Sequence, residues 1–153
     1  MTAAAKLIRP SMPTDVRLES AARRAWQTLT GETVESSGSV VPTRRMLRAS
    51  VALGSVRISA VLPDAVAGRV ATQLLGVRAA LPDMHAMTLD FVGELVNLIA
   101  GILGDELAQR GIEAPLGVPT ASLFSGKVQV DDVRLLLRFH SPTYGPFWVA
   151  LED

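Results

Sequence analysis

The sequence predicts an α+β sandwich, a mostly antiparallel sheet of about five or six strands packed on long helices, and three observations carry that prediction. Apolar residues recur at helical spacing in three stretches, strand-like runs occur in five others, and the order is helix, two strands, helix, long helix, three strands. The strands thus come in blocks joined by turns, which suits antiparallel pairing better than a helix between every two strands. A chain of 153 residues with 48% hydrophobic and 20% charged residues is enough for one domain with a substantial core.

Residues 1–12 show no periodicity and read as a loose lead-in to a single domain over 13–153. Pro13-Thr14-Asp15 is a helix-start signal, after which Leu18, Ala22, Ala25, Trp26 and Leu29 keep helical spacing up to Gly31. Glu32 to Ser39 is polar and turn-rich, and reads as a mobile loop. Strands follow at about Met46–Leu53 and Val56–Leu62, hinged at Gly54-Ser55, with Val56, Ile58 and Ala60 alternating with Arg57, Ser59 and Val61. Pro63-Asp64 opens a helix to about Leu75, closed by Gly76.

A long helix from about His85 to Arg110 comes next, closed by Gly111, and the last strands are placed at Val118–Phe124, Val133–Phe139 and Phe147–Leu151. Each half of the chain therefore begins with a helix and continues into a meander, a faint internal repeat without residue identity to support it.

Composition narrows the function classes. Lysine plus arginine equals aspartate plus glutamate at 15 each, with no extended basic run, so nothing favours phosphate-backbone binding and no nucleic-acid partner is expected. There is no cysteine, which excludes disulfide and thiolate chemistry. Met1 to Pro10 lacks the apolar core of a signal peptide, and the most apolar stretch, Phe91 to Leu103, is interrupted by Glu94 and Asn97. The expected placement is cytoplasmic, with no membrane partner.

Within the long helix, Leu89, Val92, Val96, Ile99, Leu103 and Leu107 form one apolar stripe that should face the sheet. The other side carries Asp90, Glu94, Asn97, Gly101, Gly104, Asp105 and Ala108, and Asn97 is the only asparagine in the sequence. At about 100° per residue, Glu94 and Asn97 project about 60° apart, with Asp90 and Gly101 a turn away on the same side. Glycine inside a helix costs roughly 1 kcal/mol against alanine, so Gly93, Gly101 and Gly104 call for a compensating close approach. Periodicity alone favours the plain account: the first helix packs on the glycines, and the polar pair is their solvated rim. Asp131-Asp132 reads as a turn, and His85 and His140 have no accompanying ligand pattern, so no metal site is expected.

Asp90-x-x-x-Glu94-x-x-Asn97-x-x-x-Gly101 on a long helix, followed by Gly117-Val118-Pro119-Thr120, then Ser125-Gly126 and Gly145-Pro146-Phe147, resembles the CheC/CheX/FliY phosphatases of bacterial chemotaxis. The resemblance runs through most of the chain. It implies a hydrolase, a protein aspartyl-phosphate phosphatase acting on a CheY-like response-regulator receiver domain in two-component signalling. It implies that Glu94 pairs with a receiver lysine and fixes docking, and that Asn97 holds the attacking water. Asp90 and Gly101 take supporting roles, while Phe91 and Leu98 flank the polar face as candidate receiver contacts, although buried core positions are the commoner role of apolar residues. No cofactor is implied for this chain, since the Mg²⁺ belongs to the receiver. Where the CheC branch carries a second motif, the first helix here reads Glu19-Ser-Ala-Ala22, so the CheX-like, single-motif branch, typically a homodimer through sheet-edge pairing, is the better match. The alternative is a non-catalytic receiver-binding adaptor, or a homodimeric scaffold, of the same fold.

Overall fold

The computed structural model describes residues 15–36, 46–75, 81–124 and 133–152. The lead-in, Gly76, Ser125-Gly126 and Asp131-Asp132 lie outside that set. In chain order the elements are α1 (Asp15–Thr30), β1 (Glu35–Ser36), β2 (Met46–Leu53), β3 (Val56–Pro63), α2 (Asp64–Leu75), α3 (Leu81–Gln109), β4 (Thr120–Phe124), β5 (Val133–Ser141) and β6 (Gly145–Glu152).

The six strands form one open sheet, all antiparallel, in the order β1-β5-β6-β3-β2-β4. Read from its two ends, that order makes the faint repeat concrete. Each half supplies a hairpin, β2–β3 or β5–β6, and lends its first strand to the hairpin of the other half: β1 pairs with β5, and β4 with β2. The hairpins meet at β3 and β6, where Ala60 opposes Val149. Gly54 makes the β2–β3 turn with φ +59°, a conformation the two-residue hairpin requires and a β-carbon resists.

Period-two alternation decides what the sheet faces. Leu47, Ala49, Val51 and Leu53 of β2, with Ile58, Ala60 and Leu62 of β3, are buried toward the helices. Above them α3 packs on β2, β3 and β4, with α1 along one flank and α2 along the other. Its apolar stripe is consumed there: Val92, Val96, Ile99, Leu103 and Leu107 are buried, and Leu89 is half-buried against the same core. By length and composition Ala86–Gln109 could cross a bilayer, and the packing shows where its apolar side chains go instead.

Aromatic contacts tie α1 to this assembly. Trp26 is fully buried and stacks on Phe147 at 4.2 Å, while Phe91 and Tyr144 meet it edge-on at 6.0 and 6.1 Å. Phe139 stacks on Phe147 from the neighbouring strand at 5.1 Å.

Sequence expectations change at the strand ends, where β4 starts only at Thr120 while β5 runs on to Ser141 and β6 starts from Gly145, and in two further segments. Helix α3 begins at Leu81, four residues before His85, because Pro82 sits in the first turn, where a missing N–H costs nothing. The segment read as a mobile loop from Glu32 contains β1 and a fixed carboxylate. Glu32 accepts hydrogen bonds from Ser141 Oγ, from Thr143 N at 3.2 Å and from the Trp26 indole at 3.3 Å. Partial burial raises the pKa of this carboxyl, but the donors outweigh it and hold Glu32 below its ordinary value.

Candidate functional site

The polar side of α3 faces away from the sheet along the top of the helical layer. Asp90 and Glu94 are exposed and Asn97 is half-exposed one turn on, so the helix presents the carboxylate and the carboxamide together. Among the described residues, none of these three side chains makes a hydrogen bond or an ion pair. The backbone that positions them is fixed from below, since Leu95 and Val96, between the two, are fully buried.

The glycines are not explained by helix packing. A β-carbon at Gly93 or Gly101 would meet nothing within 4 Å, and one at Gly104 would meet only Leu53 Cδ1 at 3.4 Å. Beside Gly101 and Gly104 opens a groove of about 690 Å³ that continues the polar face toward the end of the helix, with Asp105 and Ala108 on one wall and residues 111–116 on the other. The far wall is held by strand-like contacts: Gly54 N donates to Pro115 O at 3.0 Å and Gly117 N to Ala52 O at 2.8 Å.

Other sequence candidates land differently. Phe91 is only 8% exposed and packs on Trp26, so it belongs to the core and offers no contact surface. Its place one residue beyond Asp90 turns it toward α1. Leu98 is half-buried and also leans on the core. On α1, at the position where a second motif would need its asparagine, Ala22 is fully buried, and Glu19 is engaged with Arg23 at 2.8 Å and Ser36 at 2.6 Å. His140 is exposed on β5 opposite Glu35, and His85 lies in the first turns of α3. Val118, within the downstream sequence pattern, is 84% exposed.

The described residues thus define a class: a two-layer α+β protein whose open antiparallel sheet carries three helices on one face, the longest of them displaying an acid and an amide that no other described side chain engages. Among solved structures the fold is that of the CheC/CheX chemotaxis proteins. The CheX–CheY–BeF₃–Mg²⁺ complex of Borrelia burgdorferi matches with a TM-score of 0.75 at 17% identity, over 92% of this chain and 97% of that one. CheX of Desulfovibrio desulfuricans matches at 0.70 and 20% identity, over 88% and 95%, and CheX of Vibrio vulnificus at 0.70 and 15%, over 90% and 94%. No protein-family model and no curated protein sequence matches the chain. At these identities the likeness is one of fold, and function has to be argued from the site.

Proposed function

We propose that this protein is a phosphatase for the aspartyl phosphate of a CheY-like receiver domain, with Glu94 docking the receiver and Asn97 orienting the attacking water. The observation that carries the reading is the pair itself: an acid and an amide one turn apart on a helix face, outward and engaged by no other described side chain. A CheX of the same fold forms a complex with CheY.

The chemistry suits the two side chains. An acyl phosphate is already activated, so catalysis consists mainly of placing water in line with the phosphorus. A carboxamide oxygen accepts a hydrogen bond from that water without bringing negative charge toward the phosphoryl group, and its NH₂ remains a donor. Glu94 works by its charge, as a carboxylate that meets an ammonium group on the receiver. Mg²⁺ on the receiver would supply neutralisation of phosphoryl charge, so this chain need contribute no ligand. The open side at Gly93 and Gly101 leaves room for another backbone to come close. In the same reading two copies pair through a sheet edge, where β4 is an outer strand, and sedimentation at micromolar concentration distinguishes a dimer from a monomer.

The test is the lifetime of radiolabelled phospho-receivers from the host with and without the protein. Wild type shortens it, and Asn97→Ala returns it to the intrinsic value while its circular dichroism stays native. No shortening with any receiver would refute the catalytic reading, and a lengthened lifetime would identify an adaptor.

A further inference from the structure

On the side of the sheet away from the helices, the strand register gathers cations and hydroxyls. Arg48 of β2 lies opposite Ser122 of β4, Ser50 lies opposite Thr120, and Ala52 opposes Arg57 of β3. Together they line a cleft of about 380 Å³, with Val118 at its lip and no carboxylate among its lining residues.

One wall is built and the other is vacant. Arg48 Nη2 donates to both oxygens of Glu152, at 2.5 and 2.7 Å, and Glu152 is itself buried, so this guanidinium is held from behind. Its Nε is buried and has no partner among the described residues. The Ser50 hydroxyl is fixed by Ser59 at 2.8 Å. Arg57, Thr120 and Ser122, in contrast, are exposed, and their side chains make no hydrogen bond or ion pair among the described residues.

We infer that this cleft binds a small oxyanion, a phosphate or carboxylate group. Arg57 supplies the charge, the hydroxyls of Thr120 and Ser122 donate along the cleft, and Arg48 forms its fixed end. A guanidinium fork matches two oxygens of either group, and hydroxyl donors complete such a shell at no cost in charge. Arg48 is already neutralised by Glu152, so the unbalanced charge that selects an anion is that of Arg57. The cleft lies across the sheet from Glu94 and Asn97, and its occupancy does not depend on the activity proposed there.

The experiment is an amide NMR titration at constant ionic strength, with inorganic phosphate in one arm and succinate in the other. The expected result is saturable shifts confined to β2, β4 and the start of β3. Arg57→Gln should weaken binding about tenfold or more, the loss of a charge-assisted contact, while Asn97→Ala leaves it unchanged. The arm that saturates at lower concentration tells whether the site takes phosphate or carboxylate. Arg57 is exposed and unbonded, so its variant keeps the native spectrum elsewhere. Shifts that fail to saturate in both arms, or that persist undiminished in Arg57→Gln, would overturn the inference.

Discussion

On α1 the charged side chains around Ala22 are engaged: Glu19 holds Arg23 and Ser36, and Arg24 reaches across to Glu106 of α3 at 3.6 Å. On α3, which begins the other half of the repeat, Asp90, Glu94 and Asn97 hold no partner among the described residues. Neither arrangement has much effect on stability, because exposed ion pairs contribute little and exposed polar groups are satisfied by water. The difference is one of availability. Side chains that already have partners inside the chain are poor candidates for a partner outside it, and where α3 offers Asn97 the first helix has only the buried Ala22.

The comparison can be broken most forcefully at Ala22. Ala22→Asn restores the spacing of a second motif on α1, but it places a larger polar side chain in a fully buried position. The expected outcome is a loss of about 2–4 kcal/mol in denaturant unfolding, from overpacking and an unsatisfied amide, with no gain in receiver dephosphorylation. Next in size is Glu94→Ala, which should weaken receiver binding about tenfold, or about 1.4 kcal/mol, without changing the melting temperature, as read by titration calorimetry.

Glu32 sharpens the comparison from within the first half, as a carboxylate whose work is structural. Glu32→Gln should cost about 1 kcal/mol, because the amide can keep only part of the Ser141, Thr143 and Trp26 set. Its folded pKa lies below the unfolded value of 4.5, so the folded state binds its proton less readily. The stabilisation is therefore complete above that value and is lost as pH falls from it through the lower folded pKa. Urea midpoints followed from pH 6 to pH 3 should show that loss in wild type, and less of it in Glu32→Gln. Smallest is Gly101→Ala, where the added β-carbon meets open space. It should raise stability by about 0.5–1 kcal/mol while weakening receiver binding, a divergence that a merely structural glycine would not produce.

Much of the fold could be read from the sequence because alternation and helical spacing report burial directly. The ends of β2 and the stripe from Val92 to Leu107 follow from those periods. What could not be read was non-local or too short to have a period. The strand β1 is two residues long and exists only because β5 lies beside it. Glu32 gave no signal within a polar stretch, although a buried Trp26 nearby needed an acceptor for its indole N–H. The Arg48–Glu152 pair joins strands that only the folded sheet brings close. At the candidate site, spacing placed Glu94 and Asn97 together, but whether other side chains would claim them was a tertiary fact. Phe91, next to Asp90 in sequence and readable either as core or as contact, was decided by the same kind of fact: it faces Trp26 in space.

The exchange of first strands between the halves also bears on how the chain acquires its structure. β1 cannot find its place until β5 exists, and β3 has no central neighbour until β6 does, as the pairings Glu35 with His140 and Arg57 with Glu152 make plain. Long loops must close before these contacts repay their entropy, so refolding should fall toward the millisecond-to-second end of the range for small domains. A ribosome releasing the first half alone would expose a hairpin with two unsatisfied edges, and the assembly becomes self-sufficient only when the final strand arrives.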